Sequence, residues 1–272
     1  TEVVYRIGVT RATVQVRQLD PSTNRFLEMA SFNPVEDAIP EEYTRVRGET
    51  DTRYRIALAE GVTSWQVIEE LKSVDLLSGD VAEVPAEGML APDSYEVSVD
   101  DTRTELVQRM LDAQQKRIAD VWAERREDVP LKTPEEMLTL ASIIEKETGI
   151  AEERRQVASV FTNRLNQGIR LQTDPTVIYG VTRGKGVLGR GLRRSELRKE
   201  TPWNTYVIDG LPPTPIANPG LASLRAAVDP DETPFIFFVA DGTGGHAFAE
   251  TLAEHNANVA KWRQIEADRA DN

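Results

Sequence analysis

Thr133-Pro-Glu-Glu-Met-Leu-Thr-Leu-Ala-Ser-Ile-Ile-Glu-Lys-Glu-Thr-Gly149 reads as one complete helix with its start and stop written in. Thr133 is an N-cap residue, Pro134 occupies the first helical position, and Glu136 follows the cap by three residues. Gly149 is the expected stop. Glu145 shares a side with Ala141 and Leu138, four and seven residues earlier, so apolar neighbours are expected around its carboxyl. Desolvation raises a carboxyl pKa, and a carboxyl that keeps its proton near neutral pH can protonate a poor leaving group. Glu145 is therefore the candidate general acid. Glu147 lies about 200° further round the helix, at roughly 100° per residue, and is expected to be structural.

Outward from this helix the periodicities divide the chain. Val3 to Val9, Thr13 to Arg17 and Arg53 to Ala59 alternate as strands do, with turns at Asp20-Pro21-Ser22 and Asn33-Pro34. Thr63 caps a short helix carrying Trp65, Ile68 and Leu71, and Val81 to Val84 is expected to return as a strand. Pro85 to Tyr95 reads as a connector. Long helices are expected over Thr102 to Arg126 and over Ala151 to Gln167, the second closed by Gly168. Arg170 to Gly220 reads as polar loop, a length that usually carries function. Phe235 to Ala240 and His246 to Ala249 form a hairpin around Gly242 to Gly245, and Thr251 to Asp268 closes the chain as a helix. The fold class is α+β. A β-rich segment over 1–53 is expected, then a small α+β module with its connector over 54–95, then a mixed helical and β domain over 96–272.

Composition excludes several functions. With 32 basic and 45 acidic residues the net charge is −13, which disfavours nucleic acid and an electrostatic membrane grip. Zero cysteines and two histidines leave no thiolate catalysis, no cysteine-ligated zinc and little for a histidine metal site. Between Arg183 and Lys199 the sign reverses, with seven basic residues and one acid. That segment reads as a solvated glycine-rich loop or as a contact for an anionic polymer. Gly242 to Gly245 lacks the lysine and following helix of a phosphate loop. His246 is read either as a cleft residue or as a hydrogen-bonding strand residue. Gln172, Asp174, Tyr179, Asn204 and Tyr206 bring amides, a carboxylate and phenols into loops, the groups that hold sugars.

Taken in order, Leu140 to Thr148, Val157 to Leu165, Leu171 to Gly180, Asn204-Thr-Tyr206, Gly210-Leu-Pro-Pro213, Ile216-Ala-Asn-Pro-Gly220, Phe238 to Gly242 and Gly245-His246 closely resemble the MltG (YceG-like) endolytic murein transglycosylase family. The resemblance covers about residues 85 to 265. Residues 54 to 84 are similar to the family's LysM-like module, and residues 1 to 50 do not carry the likeness. Thr214 stands where the family commonly has glycine.

The resemblance implies an enzyme on the periplasmic face of the bacterial inner membrane, held by a single-pass anchor upstream of Thr1. It would cut the β-1,4 bond between N-acetylmuramic acid and N-acetylglucosamine inside nascent glycan strands, leaving 1,6-anhydromuramic ends and limiting strand length. The catalytic role falls on the first Glu of Glu-Lys-Glu-Thr, Glu145. Asn204 and Tyr206 would orient acetamido or hydroxyl groups; Gln172, Asp174, Thr176 and Tyr179 would shape the cleft; Asn218 and His246 complete the expected substrate contacts. By the same resemblance no metal or organic cofactor would be needed. Partners would be glycan strands and peptidoglycan synthases, not nucleic acid. Two alternatives stay open: a hydrolase with Asp174 as second carboxylate, and a non-catalytic peptidoglycan-binding scaffold for synthases.

Overall fold

In the computed structural model, which describes residues 1–270, the alternating N-terminal runs become β1 (Glu2–Ile7), β2 (Thr13–Asp20), β3 (Arg25–Phe32), β4 (Arg53–Leu58) and β5 (Ser94–Val97). They form one five-stranded sheet of order β3-β2-β1-β4-β5, in which β1 runs parallel to β4 and the other pairs are antiparallel. Val3, Tyr5 and Ile7 of β1 and Ile56 and Leu58 of β4 join one core with Tyr43 and Val46 of α1 (Glu41–Val46), with Val67, Ile68 and Leu71 of α2 (Ser64–Lys72) and with Leu106 and Met110 of α3 (Arg103–Ala123). α2 begins with the expected Thr63 cap: the Thr63 hydroxyl accepts from Gln66 N–H, and the Gln66 side chain accepts from Thr63 N–H. Glu2, buried in β1, is paired with Arg17 and with Arg55 (2.9 Å).

The chain separates into two compact units: Thr1–Lys116 with Thr182–Gly189 and Ala217–Gly220, and Arg117–Val181 with Arg190–Ile216 and the remainder from Leu221. These bounds differ from the expected 1–53, 54–95 and 96–272. Residues 1–53 are no separate segment, because β1 pairs with β4 from Glu2↔Arg53 to Ile7↔Leu58 and both strands need the same helical cover. Residues 81–84 form no strand; the edge place beside β4 is taken by β5, at the end of the expected connector. Within this first unit the remote segment Ala217–Gly220 is stitched in by Asn218, whose Nδ2 donates to Val62 O (2.9 Å) and whose Oδ1 accepts from Leu90 N–H (2.9 Å).

The second unit is mainly helical. α4 (Pro134–Glu147) starts as expected, with the Thr133 hydroxyl accepting from Glu136 N–H at 3.2 Å. Every residue from Met137 to Ile144 is buried, so α4 is enclosed on all sides, packing against α8 (Leu221–Val228) and α5 (Arg154–Gln167). Its end differs from expectation: Thr148 is extended (φ −142°, ψ 133°), and Gly149 is no left-handed cap. Gly168 does close α5 in the left-handed region (φ 65°). The expected loop over 170–220 contains two helices, α6 (Asp174–Thr182) and α7 (Arg194–Arg198). Asp174-Pro175 is a helix-start signal that the polar composition concealed. The hairpin of β6 (Phe237–Ala240) and β7 (His246–Ala249) is half-buried except at the buried Ala249, and α9 (Leu252–Ala270) packs against it. Among the described residues no helix is long and apolar enough to cross a membrane.

Candidate active site

Where α4 ends, the second unit holds a cavity of about 340 Å³ whose polar lining includes Glu147, Arg164, Gln172, Asp174, Tyr206 and His246. Glu147 is the last residue of the buried helix, so its carboxyl leaves a desolvated environment only at the cavity wall. Burial pushes that carboxyl up to about 7. The hydrogen bond from the Thr173 hydroxyl and the charge of His246 pull it down, and the negative charge of Asp174 pushes it further up. Tyr206 donates to Asp174 Oδ1 at 2.7 Å, and its phenol is itself raised, first by burial and then by that carboxylate. A carboxyl that holds its proton about half the time near neutral pH thus faces the same space as an ionisable neighbour fixed by a phenol.

The wall carrying Thr173 is built by a short polar network. Gln172 adopts a left-handed backbone (φ 52°) and its N–H donates to Thr205 O (3.2 Å). Thr173 N–H donates to Thr205 Oγ1 (3.0 Å), and Thr176 Oγ1 donates to Thr173 O (2.7 Å) while meeting Thr205 Oγ1 at 2.8 Å. Arg164 is buried and holds the loop from below, donating to Arg170 O (2.9 Å), Leu171 O (3.1 Å) and Ile236 O (2.6 Å), with its guanidinium over the Phe237 ring. Asn204, fully buried, donates from Nδ2 to the carbonyls of Glu196, Leu197 and Lys199 and accepts from Tyr206 N–H (3.0 Å).

Four of the expected residues, Gln172, Asp174, Tyr206 and His246, meet at the cavity. His246 is tied to Glu153 through Nδ1 (2.9 Å) and through its backbone N–H (2.9 Å). Thr176 and Asn204 are buried behind the wall with their polar atoms engaged there. Tyr179 rests against Trp203, their ring centroids 5.7 Å apart, and Trp203 donates to Thr214 Oγ1 (2.9 Å). Asn218 belongs to the first unit and is used there as a stitch. Glu145 accepts from Ser223 of α8 at 2.7 Å, and the cavity lining does not include it. Two polar residues of the lining, Arg164 and Thr173, were not singled out in the sequence. Arg164 stands three residues after Phe161 and seven after Val157, a charge on an apolar face, and that signal was available. Thr173 carries no such mark. Among the described residues no cluster of three or more His, Cys, Asp or Glu could hold a metal ion.

The fold is α+β, and its second unit presents to a polar cavity a carboxyl that burial raises well above the ordinary carboxylate range. The YceG-like family model matches residues 12–261, and the chain belongs to that family. The match reaches into the N-terminal sheet, well beyond the stretch from 85 expected of the motifs alone. An endolytic murein transglycosylase of Bacillus subtilis (strain 168) is 36% identical over 178 residues, which is 65% of this chain and 48% of that protein. One of Streptococcus pneumoniae serotype 2 (strain D39 / NCTC 7466) is 28% identical over 246 residues, 82% of this chain and 44% of that protein. The chain therefore spans about half the length of the curated relatives it matches. The crystal structure of a YceG-like protein from Listeria monocytogenes shares the fold with a TM-score of 0.63 and 28% identity, over 80% of this chain and 81% of that one.

Proposed function

We propose that the protein is an endolytic peptidoglycan lytic transglycosylase and that Glu147, two residues beyond the expected Glu145, is its acid and base. The observation that carries the reading is the Glu147 carboxyl, desolvated to a pKa of about 7 at a polar cavity. The endolytic murein transglycosylases among its relatives support the same substrate. Protonated Glu147 gives its proton to the oxygen between muramic C1 and glucosamine C4, and the C1–O bond breaks as that oxygen leaves as a hydroxyl. The muramic N-acetyl group shares the positive charge at C1. The Glu147 carboxylate then takes the proton of the muramic C6 hydroxyl while O6 bonds to C1, giving a 1,6-anhydro end with no water consumed.

Tyr206, Gln172 and His246 line the path and supply hydrogen bonds to acetamido and hydroxyl groups. The substrate lies outside the cytoplasm, so the site of action lies there too, and the synthases that make nascent strands are the expected partners. One observation favours a second reading: Asp174 is a carboxylate on the same cavity, electrostatically coupled to Glu147, as a hydrolase with an acid and a base would have. Mass spectrometry of fragments from purified glycan strands separates the two. Internal fragments ending in anhydromuramic acid, absent with Glu147→Gln, support the transglycosylase; reducing ends, heavier by one water, would overturn it in favour of the hydrolase.

A further inference from the structure

The reversal of charge around α7 has no part in the cavity chemistry, yet the structure ties it to the cavity. From Arg190 to Glu200 there are five cations against Glu196 and Glu200. Arg190 is spent on Glu196, through two bonds of 2.9 and 2.6 Å. Arg194, Arg198 and Lys199 are exposed, and their side chains have no ion-pair partner among the described residues. In a chain of net charge −13 such a patch is an exception that solvation alone does not require. Its position is fixed. Asn204 Nδ2 donates to the carbonyls of Glu196 (3.2 Å), Leu197 (3.1 Å) and Lys199 (2.8 Å), so the end of α7 is pinned by one buried amide. The same Asn204 accepts from Tyr206 N–H, and the Tyr206 phenol holds Asp174 on the cavity wall. A mobile loop would not be registered to the cavity by a fully buried amide whose two N–H groups are shared among three carbonyls.

We infer that Arg194, Arg198 and Lys199 form a binding arm for carboxylates carried by the strand that occupies the cavity. The occupant is a glycan strand with its stem peptides attached, whose free carboxylates match the guanidinium forks of the two arginines. This inference rests on the proposed function, and it adds a specificity: peptide-bearing strands are preferred over denuded ones. Anionic lipid headgroups fit less well, because the arm's place is set relative to the cavity and its cations are not interleaved with exposed large apolar side chains over 190–200.

The test uses the full chain carrying Glu147→Gln, so that binding is read without cleavage, against fluorescent soluble glycan strands that keep their stem peptides or have lost them to an amidase. Three exposed charge pairs at a factor of about two each give roughly a tenfold preference for the peptide-bearing strand. That preference should vanish in Arg194→Ser/Arg198→Ser/Lys199→Ser, weaken without vanishing in Arg194→Lys/Arg198→Lys, which keeps the charges and removes the forks, and shrink at about 1 M salt, where the Debye length is about 3 Å. An equal preference in the triple serine variant, or equal affinity for both strands in the parent chain, would overturn the inference while leaving the cleavage chemistry in place. Failure of the unmutated protein to cleave or bind either strand would overturn the proposed function, and the arm with it.

Discussion

Exchange of Glu147 for glutamine keeps the side chain's size and removes its proton traffic, so its effects follow from the environment already described. At pH 7 a carboxyl with a pKa of about 7 is half protonated, whereas at the ordinary value of 4.5 about one in 300 would be. Burial thus enriches the acid form roughly 150-fold, which lies inside the 10²- to 10⁴-fold range that general acid–base catalysis typically contributes. Glu147→Gln should therefore lower the rate of strand cleavage by about 10²- to 10⁴-fold. Glu145, which accepts from Ser223 and does not line the cavity, should on exchange for glutamine change the rate by less than about tenfold, with a stability cost of about 1 kcal/mol. The assay is release of soluble fragments from glycan strands, with fold checked by circular dichroism. Stability supplies a second readout. A raised carboxyl pKa means the folded chain binds the extra proton between about pH 4.5 and 7, so stability falls as pH rises through that window. Glu147→Gln should leave stability nearly unchanged at pH 4 and raise it by up to about 3 kcal/mol at pH 8. Full activity in Glu147→Gln together with its loss in Glu145→Gln would refute the reasoning.

The remaining predictions probe the supports. Thr173→Val removes the hydrogen bond that lowers the Glu147 pKa, so the alkaline limb of the pH–rate profile should move to higher pH; an unmoved limb would show that the bond does not tune the acid. Arg164→Met strands the carbonyls of Arg170, Leu171 and Ile236, and chemical denaturation should show a loss of about 3 kcal/mol or more. A loss below about 1 kcal/mol would mean that water replaces the guanidinium without penalty. In the first unit, Glu70 is raised to about 7 by burial against one backbone hydrogen bond from Gly8, and its Oε2 is buried with no partner among the described residues. Glu70→Gln should stabilise the protein above pH 7 and not below about pH 4.5, read from thermal midpoints at the two pH values.

Much of the fold is local, and local patterns are legible. The Thr63 and Thr133 caps, the Gly168 stop and the alternation in β2 and β4 each depend on neighbours within one turn or one strand, whereas β1 is buried from Glu2 to Tyr5 and shows no such alternation. Long-range pairing is another matter. That β1 lies beside β4, with the expected strand at 81–84 absent, depends on which apolar faces share the α2 and α3 cover. The helix at Asp174 was hidden because it is short and holds both Pro175 and Gly180, so its pattern reads as loop; Asp174 at its start is the residue it gives to the cavity lining.

The candidate site divides along the same line. The sequence by itself marked a glutamate at the end of a capped, apolar helix as a candidate acid and named Gln172, Asp174, Tyr206 and His246, which meet at the cavity, together with Thr176, Tyr179, Asn204 and Asn218, which do not line it. Which glutamate faces the cavity was decided only by the tertiary structure. Helical periodicity picks a face only when one side of the helix is apolar, and α4 is buried on every side from Met137 to Ile144. Glu145 meets Ser223 of α8, whereas Glu147 meets Thr173, and that wall exists only because Thr205, Thr176 and Arg164 bring distant carbonyls and hydroxyls together.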